Sequence, residues 1–175
     1  MTAVAAVAKR YQMDSDILQE VLSHYTVNNG RMEAFQMGSN DVTLNLAKNP
    51  VGANMTLRVM NEMQGEKELL FVLNDNIADG LDVSWIWDIN FSTFRNVTRV
   101  VTSGTRAYDI AVRIKCSGYD ARNIVVRPDL DEAVAELNTT QGKKFVIANY
   151  TAVQPTRSAL QRWIAHHGGA AHETN

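Results

Sequence analysis

Five segments of the chain carry the short apolar or alternating pattern of β-strands, and helical patterns separate them. Residues 69–73, Leu-Leu-Phe-Val-Leu, are apolar without a break, as in a strand buried on both faces of a parallel sheet. Val42 to Leu46 alternates apolar and polar side chains, and residues 99–102, 124–126 and 145–148 supply three further short runs. Helices are predicted over about 53–63, 105–116, 129–137 and 155–165, with a short element near 91–96. Pro50, near the start of the first of these helices, suits that position through its fixed φ. Strands alternating with helices at this spacing predict an α/β fold, a doubly wound and mostly parallel sheet of about five strands flanked by helices.

The amino end departs from that rhythm. Residues 3–12 are strong helix formers, and Asp14 or Ser15 can cap a second helix whose Ile17, Leu18, Val21, Leu22 and Tyr25 form one apolar stripe. A helix pair with no strand partner cannot close a core by itself, so it reads as an appendage or as the tail of another domain. Asn28-Asn29-Gly30 breaks the helical pattern. The segment 28–41 therefore reads as a linker, 42–165 as the α/β domain and 166–175 as a flexible tail.

The densest chemistry follows the unbroken apolar run. Residues 74–88 hold Asp75, Asp79, Asp82 and Asp88 together with Trp85 and Trp87, and Gly80 allows a sharp turn among them. In open α/β sheets the ligand crevice lies beyond the carboxyl ends of the strands, where this stretch begins. Asp75, Asp79 and Asp88 could surround magnesium, but Asp-rich loops more often satisfy their own backbone amides, and no metal site is expected. Asp82 could cap a turn through Ser84. Trp85 and Trp87 share a face if the segment is extended, and that face would anchor a partner or pack into the core.

Composition narrows the partners. The 175 residues, 45% hydrophobic, suffice for one ordinary domain with a sizeable core. Seventeen basic and nineteen acidic side chains are scattered along the sequence, leaving no electrostatic footprint for nucleic acid. No apolar run approaches the roughly 20 residues of a membrane span, so no membrane insertion is expected. Cys116 is the only cysteine, which excludes an internal disulfide and a cysteine zinc cluster, and it is predicted to pack within its amphipathic helix. Gly-x4-Gly-Lys-Ser/Thr, Gly-x-Gly-x-x-Gly, His-Glu-x-x-His and Gly-x-Ser-x-Gly are all missing, so the chain is not expected to bind ATP by itself. His24, His166, His167 and His172 fall outside the carboxyl edge of the predicted sheet and read as non-catalytic.

Five segments in order, Gly30-Arg31-Met32-Glu33, Leu46 to Gly52, Asn74 to Asp88, Thr102 to Arg106 and Asn149 to Ala152, resemble the carboxyl-terminal part of the MurT family. These are the Mur-ligase-like subunits of lipid II isoglutaminyl synthase, and the resemblance spans nearly the whole chain. It implies a Mur ligase carboxyl-terminal-like fold and a cytoplasmic enzyme acting at the inner face of the membrane. The complete enzyme would use ATP and magnesium to amidate the α-carboxylate of D-glutamate in lipid II, with ammonia from a GatD-like glutaminase partner. The family's ATP loop and four-cysteine zinc ribbon are not in these residues, so 1–27 reads as the last helices of a preceding central domain and Gly30 to Glu33 as the hinge.

The resemblance also implies roles. Asp82 would complete the Cys-His pair of the glutaminase, orienting the histidine and stabilising its imidazolium. Arg31, Lys48 and Asn49 would touch substrate or nucleotide, and Arg106 would grip a substrate carboxylate, exposed and paired only by that ligand. Trp85 and Trp87 would lie at the partner interface. Two other readings stand beside this one: under the same resemblance, a non-catalytic module that binds the glutaminase, and, from the acidic loop itself, an α/β domain that binds magnesium and a phosphorylated ligand.

Overall fold

The structure, a computed structural model, describes residues 2–24 and 30–167. Two helices, α1 (Thr2–Arg10) and α2 (Ser15–His24), come first. The sheet then forms from β1 (Glu33–Met37), β2 (Asn40–Leu46), β3 (Lys67–Val72), β4 (Val97–Ser103), β5 (Ile124–Val126) and β6 (Lys143–Ala148). Its helices are α3 (Pro50–Glu62), α4 (Ala107–Cys116), α5 (Leu130–Leu137) and α6 (Tyr150–His167). The strand order is β1-β2-β6-β3-β4-β5, antiparallel only between β1 and β2.

The sheet thus has six strands rather than about five. The extra one, β1, lies in the segment read as a linker. Its alternation is weak because Ala34 and Gln36 face solvent and only Met37 is buried, so the apolar signal is too faint to stand out from a loop. A tight turn through Gly38, with φ +61°, folds it back on β2.

Alternation along β3 builds both cores. Leu69, Phe71 and Leu73 face Leu57 and Met60 of α3 and Ile110 and Ile114 of α4. Leu70 and Val72 face the other way, into Val134 and Leu137 of α5 and Ala152 and Leu160 of α6. All six residues of β3 are buried, as an unbroken apolar run in a sheet covered on both faces requires. Adjacent strands β3 and β6 send the chain to opposite faces. After β3 the loop delivers Ile86, Ile89 and Phe91 to the α3/α4 side, whereas β6 leads into α6 on the other. The carboxyl ends of β3 and β6 are therefore the topological switch point, where open α/β sheets bind ligands.

Helix α6 begins at Tyr150, earlier than the predicted 155, and contains Pro155. A helix starting at 155 would put this proline at its first position, but here it sits one turn further in, where it forgoes the bond to the carbonyl of residue 151. The helix runs to His167, past the predicted end, and the rest of the tail, with His172, lies outside the described residues. None of α2 is buried, and Ile17 and Val21 of its apolar stripe are more than half exposed. Tyr25 and the Asn28-Asn29 break lie outside the described residues.

The entry into the sheet is fastened to α6. Gly30 has φ +72°, and a Cβ there would stand 2.6 Å from a methyl of Val153. Its N–H donates to Glu33 Oε2 at 3.1 Å. Arg157 donates through Nε and Nη2 to the same carboxylate at 2.7–3.0 Å, with both side chains less than a fifth exposed. The Arg157 bonds hold the Glu33 carboxyl below its ordinary value of 4.5 despite opposing desolvation. Stability from this pair is present above the unfolded-state pKa and is lost as pH falls through the lowered folded value. Glu33→Gln is expected to cost about 1.5–3 kcal/mol at pH 7, the range for bonds to charged groups, with a smaller difference from wild type below pH ~4. Urea unfolding at the two pH values checks this; an equal cost at both would assign the effect to shape rather than charge.

Candidate functional site at the carboxyl edge of the sheet

An asparagine lies just beyond each of the two strands at the switch point, Asn74 after β3 and Asn149 after β6. Asn149 is 2% exposed. Its Oδ1 accepts from the Asn74 N–H at 3.0 Å, and its Nδ2 donates to the Asn74 carbonyl at 2.7 Å. One side-chain amide thereby extends the ladder beyond the end of β3. Asn74 Oδ1 in turn accepts from the Thr105 N–H at 3.1 Å, tying in the end of β4. This approach needs Gly104, whose φ is +91°. A Cβ there would fall 2.5 Å from the Leu73 carbonyl oxygen and 2.7 Å from Asn74 Oδ1. Gly104→Ala is expected to cost about 1–3 kcal/mol from the left-handed backbone alone, more with the clash. A melting temperature within a degree of wild type would contradict that.

The acidic loop is fixed to this frame at two points. Asp75 accepts from Thr105 Oγ1 at 2.7 Å and from Arg106 Nε at 2.8 Å. Those bonds, the hydroxyl's first, hold its carboxyl below the usual aspartate range. Arg106 is therefore not paired only by a ligand, as the sequence suggested. It lies at the amino end of α4, faces back across the rim to Asp75, and also has Asp109 at 3.7 Å. At the second point Asp79 accepts from the Thr151 N–H at 2.8 Å and from the Thr151 hydroxyl. Thr151 lies in the first turn of α6, whose free amides and dipole favour a carboxylate. Its Oγ1 also accepts from Asn76 Nδ2 at 2.8 Å and Asn74 Nδ2 at 3.4 Å, so one side chain gathers three residues of the loop.

Asp82 comes next and is exposed. Its Oδ1 accepts from the Ser84 N–H at 2.7 Å and its Oδ2 from Ser84 Oγ at 3.0 Å. The Ser84 amide and then its hydroxyl lower the Asp82 pKa, keeping it ionised through the neutral range. The local bonds are those of a turn cap, and they leave the outer lone pairs of a fixed carboxylate open to solvent.

Trp85 and Trp87 do not share a face. Ser84–Asp88 is a 3-10 turn rather than an extended segment, and at three residues per turn positions i and i+2 point roughly 120° apart. Trp85 packs against the α3/α4 core, whereas Trp87 is 54% exposed with the Arg113 guanidinium 5.4 Å from its ring centre. Arg113 also donates to the Ile86 carbonyl at 3.2 Å and the Ile89 carbonyl at 2.5 Å, holding the turn against α4. Beside Trp87 a shallow cavity of about 240 Å³ is lined by Val83, Ile86, Tyr108 and Val112, with Tyr108 and Val112 more than half exposed.

The other expected site residues share the rim but stand further along it. Lys48 is exposed just beyond β2. Asn49 caps α3, its Oδ1 accepting from the Gly52 N–H at 2.9 Å. Arg31 is exposed, next to Gly30, whose carbonyl accepts from the Leu46 N–H. Among the described residues no group of three or more His, Cys, Asp or Glu is placed to hold a metal. On the α5/α6 side of the switch point a crevice of about 380 Å³ is lined by Asn74, Gly104, Thr105, Pro128 and Ala152. Cys116, expected to pack, is exposed because it ends α4 on the turn after the last buried position, Ile114. Asn149, Thr105 and Thr151 carry the frame yet were not singled out. The available signal was the repeated pattern of an apolar run ending in asparagine at 74 and 149.

The chain is 33% identical over 162 residues to the MurT subunit of lipid II isoglutaminyl synthase (glutamine-hydrolyzing) from Staphylococcus aureus strain COL, covering 91% of this chain and 37% of that protein. It is 32% identical over 161 residues to the subunit of the same name from Streptococcus pneumoniae strain R6, covering 90% and 36%. The chain thus spans just over a third of the length of these relatives. Among solved structures, UDP-N-acetylmuramate-alanine ligase MurC from Thermotoga maritima superposes with a TM-score of 0.71 at 13% identity, covering 95% of this chain and 36% of that one. MurF from Acinetobacter baumannii gives 0.69 at 15% identity, covering 94% and 36%. Those two likenesses show the fold, that of the Mur ligases. Residues 46–153 match the family described as MurT ligase C-terminal, which contains the whole carboxyl rim from Leu46 to Thr151, and the chain belongs to that family.

Proposed function

We propose that this domain belongs to the ligase subunit of a two-component synthase that amidates the α-carboxylate of D-glutamate in lipid II. In this reading Asp82 completes the Cys-His pair of a glutaminase partner. The observation that carries the proposal is the state of Asp82, an exposed, ionised carboxylate held by two bonds from Ser84 beside an uncovered apolar surface. A carboxylate that serves a histidine on another protein has to be charged, rigid and reachable. Leu81 precedes it in the chain, and Trp87, Tyr108 and Val112 line a shallow cavity with Ser84, which bonds it; all four are more than half exposed, the kind of surface that a partner covers.

Arg31, Lys48 and Asn49 then face the substrate or nucleotide along the β2 end of the rim. Arg106, with one side of its guanidinium on Asp75, presents the other side to a substrate carboxylate. The described residues do not fit magnesium-ATP. The sequence has no phosphate loop, and Asp75 and Asp79 are already occupied by Thr105, Arg106 and Thr151. ATP and magnesium belong to the complete enzyme, acting in the cytoplasm at the inner face of the membrane.

The test is amidation of lipid II by the full-length ligase subunit with its glutaminase, driven in parallel by glutamine and by ammonia. The proposal expects variants at Asp82 to lose the glutamine-driven reaction and keep the ammonia-driven one. Loss of both would place Asp82 in substrate or nucleotide binding, and loss of neither would leave it a turn residue.

A further inference from the structure

The span that carries Asp82 is short and held at both ends. Downstream, Ile86 is 2% exposed in the α3/α4 core, and its carbonyl accepts from Arg113. Upstream, three residues before Asp82, the Asp79 carboxylate is bonded to both the amide and the hydroxyl of Thr151. Val83 and Trp85 pack against the α3/α4 core, but between Asp79 and Asp82 Leu81 is 69% exposed and Gly80 takes φ +85°, so side-chain packing does little to define the path of the chain there. The Asp79–Thr151 contact supplies that definition.

We propose that Asp79 and Thr151 are positioning residues for the Asp82 carboxylate, a clamp at the amino end of α6 that sets where Asp82 stands when the partner docks. The inference rests on the reading of Asp82 given above. The clamp fits the task chemically because both oxygens of Asp79 are engaged, which fixes its rotation as well as its position. The same Thr151 oxygen accepts from Asn74 and Asn76, so the clamp also closes the loop onto the ends of β3 and β6. Placing a catalytic group about 1 Å out of position can cost on the order of a hundredfold in rate.

In the reconstituted two-subunit enzyme, Asp79→Ala and Thr151→Val are expected to lower kcat for glutamine hydrolysis roughly ten- to hundredfold, without changing the Kd between the subunits. Thr151→Ser keeps the amide and the hydroxyl and should retain wild-type turnover. The decisive measurement is Asp79→Ala in an Asp82→Asn background. If Asp79 acts through Asp82, the second substitution adds no further loss, whereas independent structural damage would multiply the two effects. Multiplied effects, or wild-type turnover in both Asp79→Ala and Thr151→Val, would overturn the clamp while leaving the role of Asp82 intact. A normal rate for Asp82→Asn alone would instead remove the reading on which the clamp rests.

Discussion

In the complete two-subunit enzyme, Asp82→Asn is expected to lower glutamine hydrolysis by about four orders of magnitude, the scale on which charge removal at the third position of a catalytic triad acts. The substitution is nearly isosteric, and the asparagine oxygen can still accept from the Ser84 N–H, so the turn that precedes Ser84–Asp88 should keep its shape. Only the negative charge that steadies a partner imidazolium is gone. The Kd between subunits should change little, because Trp87, Tyr108 and Val112 are untouched. Excess ammonia supplied to the variant should restore lipid II amidation, since it bypasses the glutaminase. A glutamine-driven rate within tenfold of wild type would sink the assignment.

Lys144→Ala is expected to destabilise the domain by about 3–5 kcal/mol, the largest effect on folding proposed here, at a site with no contact to the carboxyl rim. The Lys144 side chain is fully buried near the amino-terminal end of the sheet, with Nζ 3.1 Å from Glu68 and 2.7 Å from Thr140 Oγ1. Burial draws its pKa down, and the Glu68 carboxylate opposes that shift. Removing the ammonium leaves Glu68, only 6% exposed at its side chain, as an uncompensated buried charge. The double variant Glu68→Leu with Lys144→Met should recover most of the loss, because an apolar pair of similar volume avoids desolvating two ions. Chemical denaturation of the wild type and the two variants measures both numbers. A double variant no more stable than Lys144→Ala would mean that the pair holds the neighbouring 138–142 turn and is not merely a neutralised charge.

Both the fold and its functional edge were legible where the sequence obeys one rule at a time. Residues 69–73 are apolar because β3 is covered on both faces, and that pattern alone placed the centre of the sheet and the loop beyond it. Strand β1 leaves little trace in the sequence because it lies at the sheet edge, with two of its five residues intermediate and two exposed, and has little apolar surface to conceal. The shared face of the tryptophan pair is conditional on an extended segment, and the condition is not met. Two-residue spacing implies a common face only in an extended chain, and nothing in Ser-Trp-Ile-Trp-Asp announces a 3-10 turn. Arg106 was read as waiting for a ligand because its partner, Asp75, is 31 residues away and meets it only through the pairing of β3 with β4. Long-range polar pairs of this kind follow from topology and cannot be read from local spacing.

Helix α6 carries more than its share of the fastenings. Val153 and Arg157, one turn apart, grip Gly30 and Glu33 where the chain enters the sheet, and Thr151 at the tip of the same helix grips the acidic loop. Eighteen residues of helix form a stiff strut about 27 Å long. A pull on the polypeptide ahead of Gly30 is shared between this strut and the end of β2, whose Leu46 N–H bonds the Gly30 carbonyl, and a strut that tilts takes the root of the loop with it. Mechanically, the entrance of the chain and the carboxylate it would present are mounted on one beam, so the swing of whatever is attached upstream and the aim of Asp82 are set by the same piece of structure.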